Sequence, residues 1–210
     1  MPLPGDRLKK MILLISAFCF LTLMGMAVAQ SNAASANQSM TVLMQDSGTN
    51  ITKMNFTLYS AGQDWGIDAF GVGEAVKFTA PKPNWKLKQI RVLGWNGFNE
   101  TTMTVPSPGN FLIEVRDENL NLLYRLADTQ NAYFTFPAPV LRAIDVPVLP
   151  LTGDFYIIFY DRSTMKIGME FEKGTGNSYF YDSLYSELLP VQIKNNESTK
   201  LNWVIRAVGE

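Results

Sequence analysis

The chain has 210 residues, 47% hydrophobic and 18% charged, with 18 Lys and Arg against 19 Asp and Glu. Histidine is absent and cysteine occurs once, which excludes Ser-His-Asp and Cys-His catalysis and the His-ligated zinc sites of many hydrolases. A net charge of -1 gives no electrostatic case for nucleic acid or an anionic membrane surface.

The first feature in chain order is Arg7, Lys9 and Lys10 ahead of an apolar run from Met11 to Ala29, ending in Ala27-Val28-Ala29. A basic start, an apolar stretch and a small-x-small exit are the pattern of a secretory signal. Residues 1–29 are therefore expected to be a signal peptide, with an uncleaved signal anchor as the alternative. Either way the remainder is expected outside the cytoplasm, secreted or at the cell surface. Cys19 lies within the apolar run behind Phe18, a setting unsuited to lipidation. Loss of the segment would remove Arg7, Lys9, Lys10 and Asp6, leaving 15 basic against 18 acidic residues and no cysteine. An exported domain of that kind is held by burial and sheet pairing rather than by disulfides.

Residues 30–39 are Ser, Asn and Ala without periodicity and read as a flexible spacer. From 40 to 210 the sequence reads as one β-sandwich domain. Strands are expected over Met40 to Gln45, Met54 to Ser60, Ala75 to Thr79 and Lys86 to Trp95. Further strands are expected over Phe111 to Arg116, Leu122 to Leu126, Ala132 to Phe136 and Val140 to Val146. Phe155 to Tyr160, Lys166 to Glu172 and Leu201 to Val208 complete the set. Each is short, rich in β-branched or aromatic residues and bounded by Gly, Pro or Asp-Asn turns. Pro137, Pro139, Pro147, Pro150 and Gly153 punctuate them, and Asp182 to Leu189 has room for a turn or two of helix. The Phe155 to Tyr160 run is apolar on both faces, so it should be central and covered on both sides. About ten short strands with regular turn signals predict an all-β, antiparallel sandwich.

Four stretches carry a resemblance: Gly73-Glu74-Ala75-Val76-Lys77-Phe78, Phe111 to Asp117, Asp154-Phe155-Tyr156-Ile157, and Asn202-Trp203-Val204-Ile205-Arg206-Ala207. In that order they resemble a loosely defined group of exported β-sandwich domains of archaeal, notably methanogen, and bacterial cell-surface proteins. The resemblance implies a jelly-roll-like fold and brings no established activity. Where that group has Tyr-Asp-Asp-Gly, this chain has Gln63-Asp64-Trp65-Gly66.

Several residue sets could carry chemistry. Trp65, Trp85 and Trp95, which lie in or beside loops, and Tyr179 and Tyr181, with Tyr185, could offer rings that stack on sugars; core packing is the competing role. Asp64, Asp68 and Glu74 in a Gly-rich loop could hold a structural calcium, against plain turn-forming aspartates. No other cofactor is expected. Glu170 and Glu172, two apart on one strand, sit about 6.5 to 7 Å apart at Cα, and are expected to be the solvated face opposite Met169 and Phe171 rather than a catalytic pair. Ser163-Thr164-Met165-Lys166 matches Ser-x-x-Lys but follows a strand, where the penicillin-recognising enzymes need a helix. Arg206 is expected to pair with Asp161 or Glu170 across the sheet. Asn37, Asn50, Asn55, Asn99 and Asn196 head Asn-x-Ser/Thr sequons, candidate glycosylation acceptors in an exported glycoprotein.

These features predict a non-enzymatic cell-surface binding module whose partner is a glycan or an envelope protein. The alternatives are a carboxylate-based secreted hydrolase such as a glycosidase, with Glu170, Glu172, Asp161 or Asp64 as candidates, and a structural envelope subunit. Membrane contact is expected only through an uncleaved signal segment.

Overall fold

The computed structural model describes residues 39–210 apart from 49, 62–69, 108, 172–173 and 192–199. The signal segment and spacer lie outside the described residues. Among the described residues thirteen strands alternate with short turns: β1 (Thr41–Met44), β2 (Thr57–Tyr59), β3 (Val72–Thr79), β4 (Trp85–Trp95), β5 (Asn110–Asp117), β6 (Leu122–Thr129) and β7 (Val140–Leu151). Then follow β8 (Asp154–Tyr160), β9 (Lys166–Phe171), β10 (Ser178–Asp182), β11 (Glu187–Pro190), β12 (Leu201–Trp203) and β13 (Ile205–Gly209).

They form two antiparallel sheets. The first runs β1-β13-β4-β9-β12, with β2 also paired to β9 and β7 to β4; the second runs β11-β10-β3-β8-β5-β6. The chain is thus an all-β sandwich, as its patterning predicts. β8 sits between β3 and β5, with Ile157 opposite Val76 on one side and Val115 on the other. Its Phe155, Ile157 and Phe159 join the main core with Trp85, Ile90, Val92 and Trp203. Tyr156, Ile158 and Tyr160 face the other way, into a second cluster with Ala75, Leu112 and Tyr181. Burial of each large apolar side chain contributes about 1.5–3 kcal/mol, so this strand anchors both layers.

Three local expectations are corrected. Ala132 to Phe136 is not a strand: helix α1 (Gln130–Phe134) forms there, because Phe134 is drawn wholly into the core. Its amide-bearing start is held from outside, since Gln130 Nε2 donates to the carbonyls of Asn110 and Arg162 at 3.1 and 2.7 Å. Next, β7 does not stop at Val146 but runs through Pro147 and Pro150. Among the described residues it pairs only with β4, and the register slips from Gln89↔Asp145 to Leu87↔Leu149, so Pro147 lies in a bulge where no ladder N–H is needed. Finally, Asp182 to Leu189 is not helical but turns from β10 into β11, with Tyr181 opposite Leu188.

The predicted Leu201 to Val208 strand is divided at Val204. There the Val204 N–H donates to the Gly168 carbonyl on β9 at 2.9 Å, while its own carbonyl accepts from Leu93 on β4 at 3.0 Å. That crossover is possible because β9 and β4 come together at Gly94↔Ile167.

Candidate functional site

Two places collect functional side chains: a surface pocket at the end of β4, and the ends of β3 and β8 in the sandwich interior. Trp95 closes β4 on the strand face opposite Val92 and Gly94, half-exposed. Its ring is held by the indole N–H, which donates to the Phe136 carbonyl at 2.8 Å. The chain then turns on Asn96, whose buried side-chain amide donates to Asn131 Oδ1 and Thr135 Oγ1, both at 2.9 Å, and accepts from the Phe98 N–H at 3.1 Å. Gly97 takes φ +86°, a conformation glycine adopts without strain. The loop continues into a small antiparallel bridge, Asn99↔Thr104. Trp95, Phe98, Asn99, Glu100, Thr101 and Pro137 line the resulting pocket of about 330 Å³. An aromatic wall beside amide, carboxylate and hydroxyl groups is the chemistry that binds an amphipathic ring such as a pyranose. Asn96 and Phe98 had no distinguishing signal in sequence; their role comes from contacts to the α1 region.

The other aromatic candidates divide by burial. Trp85 is corrected from a loop-side ring to a core one: it opens β4, is 1% exposed and stacks on Phe155 at 6.0 Å. Tyr181 is also buried, beneath the Arg116 guanidinium at 4.8 Å. Neither offers a face to a ligand. Tyr179 is half-buried and lines a smaller pocket of about 240 Å³ with Ser178, Val191 and Lys200. Tyr185, in the β10–β11 turn, is 72% exposed. Trp203 lies in the core, its indole donating to the Tyr179 carbonyl at 2.9 Å. Trp65 lies outside the described residues.

Among the acidic candidates, Glu74 is not in a loop: it lies within β3 and is fully buried. Alternation with Val76 and Phe78 turns it into the space between the sheets. Both its carboxylate oxygens are without a hydrogen-bond partner of good geometry. Burial raises its pKa well above the usual range, and the nearby Asp161 carboxylate adds to the rise, opposed only in part by the backbone N–H groups of Glu74 and Asp161. Asp64, Asp68 and Glu172 lie outside the described residues. Among the described residues no three acidic side chains stand close enough to hold a metal ion.

Glu170 is buried rather than solvated and accepts the Ser47 N–H at 2.8 Å. Arg206 does not pair with Asp161 or Glu170. Its partner is Asp46, through bonds of 2.9 and 2.7 Å. The register Met44↔Arg206 brings Asp46 over the guanidinium, whereas Asp161 belongs to the other sheet, just past β8. A further polar cluster carries no distinguishing signal in the sequence. Glu114 on β5 is 1% exposed, yet it accepts from Arg116 at 2.7 Å, Arg125 at 2.8 Å and the Tyr160 hydroxyl at 3.0 Å. Burial alone would raise its pKa, but the two arginines and the tyrosine outweigh it and hold the carboxyl below its ordinary value.

Of the sequons, Asn50, Asn55 and Asn99 are exposed, and Asn37 and Asn196 lie outside the described residues. Asn50 Oδ1 accepts from both the N–H and the hydroxyl of Thr52 at 3.2 Å. Among the described residues no helix is long and apolar enough to cross a membrane.

Compared with known proteins, the chain matches no family model, no curated protein and no solved structure. The fold defines the class: an all-β sandwich of two antiparallel sheets with an aromatic pocket on one loop.

Proposed function

We propose that this protein is an exported, non-enzymatic binding module, jelly-roll-like in topology, that engages a glycan at the cell surface through the Trp95 pocket. The observation that carries the reading is the half-exposed Trp95 ring, fixed by its bond to Phe136 and bordered by Asn99, Glu100 and Thr101. Fixing the ring before a ligand arrives lowers the entropy cost of binding. A hydrolase is the less supported alternative, because Glu74 and Asp161, the carboxylates from different elements that do approach each other, are closed off from solvent. A structural envelope subunit draws support from the outer edge strand β6, where Leu122 and Leu123 are 44% and 45% exposed.

The test is co-sedimentation of the purified protein with cell-envelope polysaccharide, assayed also for released sugar. Retention lost in Trp95→Ala, without release of fragments, is the expected result. Release of soluble sugar would overturn the reading, and retention unaffected by Trp95→Ala would move the site elsewhere.

A further inference from the structure

We infer that the Trp95 pocket selects a glycan carrying a free amino group over neutral or acidic sugars, with Glu100 as the residue that receives the ammonium. The inference rests on the Trp95 reading above and adds the charge of the ligand to it. Among the described residues that line the pocket, Glu100 is the one charged side chain; its companions are aromatic, amide, hydroxyl, proline and glycine. The hairpin holds the backbone of Glu100 in place. Asn99 and Thr104 exchange backbone bonds of 3.1 and 3.0 Å, and the Met103 N–H closes onto the Glu100 carbonyl at 3.3 Å. Asn99 Oδ1 also accepts the Thr102 N–H at 3.2 Å. The carboxylate therefore rises from a closed turn beside a tryptophan whose indole N–H is already bonded to Phe136, and little order is left to impose when a ligand arrives.

Glu100 is exposed, and among the described residues no lysine or arginine forms an ion pair with it. Two cations stand near the site without entering it. Arg142 lies over the Phe136 ring at 5.9 Å, and Lys166 is opposite Trp95 in the β4–β9 ladder but outside the pocket lining. An indole face attracts a cation through the negative potential of its ring, and a carboxylate offers it a charge-assisted hydrogen bond. A protonated amino sugar meets both groups while its apolar face lies on the ring. N-acetylation removes that charge, and a uronic acid brings a second anion against Glu100.

The experiment is titration calorimetry of the purified protein with tetrasaccharides of glucosamine, N-acetylglucosamine and galacturonic acid. It is run at about pH 5.5, acid enough to charge the sugar amine and above the ordinary carboxylate range. The glucosamine tetramer should bind about five- to tenfold more tightly than its acetylated counterpart. That preference should vanish in Glu100→Gln and persist in Glu187→Gln, an exposed acid on β11 of the other sheet, so that general attraction to an acidic protein is set apart. Trp95→Ala should weaken both amino-sugar ligands. Equal affinity for the two, each dependent on Trp95, would overturn this inference and leave the glycan reading standing. A preference that survives Glu100→Gln would overturn it, as would tighter binding of the galacturonate that is lost in Lys166→Met. No binding of the glucosamine tetramer would overturn it as well, and the co-sedimentation described above then decides the glycan reading separately.

Discussion

Glu114 and Glu74 are both buried glutamates in the second sheet, and burial treats them in opposite ways. Glu114 faces away from the sheet interface, where Arg116, Arg125 and Tyr160 surround it. Glu74 faces the interface, where its cross-strand neighbours are Phe159 and Phe180. The first carboxyl is held below its ordinary pKa and the second is pushed above it. Removal from water is common to both; the counter-charges decide the sign.

The comparison breaks most visibly at Glu114. Glu114→Ala leaves the Arg116 guanidinium, whose side chain is 12% exposed, without its carboxylate partner, and should cost about 3–5 kcal/mol in urea unfolding. The double change Glu114→Leu with Arg116→Met removes both charges together and should recover most of that loss, because an apolar replacement of a buried pair is often close to neutral.

The pH dependence of the two residues should have opposite signs. Glu74 is raised in the fold above its unfolded value of about 4.5, so its contribution is complete below that pH and is lost as pH rises toward the folded pKa. Glu114 is lowered, so its contribution is present above about pH 4.5 and is lost as pH falls through the folded pKa. Glu74→Gln should therefore gain on the parent protein as pH rises, by up to about 1.4 kcal/mol per pH unit within the titration. Stability curves between pH 4 and 9 would show it, and parallel curves would contradict the assignment.

A smaller effect is expected at the pocket. Trp95→Ala should weaken polysaccharide retention about tenfold, or about 1.4 kcal/mol, while moving stability by less than about 1 kcal/mol, since the ring is half-exposed. Affinity electrophoresis beside a melting curve separates the two. Smallest of all, Lys77→Met removes an ion pair with Asp154 whose side chains are each about one-third exposed, and should change stability by about 0–1 kcal/mol.

Much of the fold is legible in the sequence, and the places where the two differ have physical causes. Phe155 to Tyr160 announced a central strand because both faces are apolar, and a two-residue period survives any choice of neighbours. Ala132 to Phe136 misled because its aromatic β formers are needed as a plug: Phe134 must enter the core beside Gly94, where a Cβ would stand 2.9 Å from its ring. Trp85 and Trp95 bracket a single strand, yet the bulge in β4 near Leu87 shifts the alternation between them. One ring is thereby sent inward and the other to the surface, which no local pattern distinguishes.

The candidate sites were less legible. Glu74 reads in sequence as part of a Gly-rich loop, but β3 begins at Val72, earlier than its turn residues suggest, and the strand turns the carboxyl inward. Its neighbour Asp161 lies 87 positions further along the chain, brought close only by the β3–β8 pairing. The sequence alone determined the strand content and the absence of histidine chemistry, because composition and alternation are local properties. Which carboxylates are compensated, which tryptophan meets solvent and which acids approach each other were decided by strand register and sheet packing, because each depends on residues that only the tertiary fold makes neighbours.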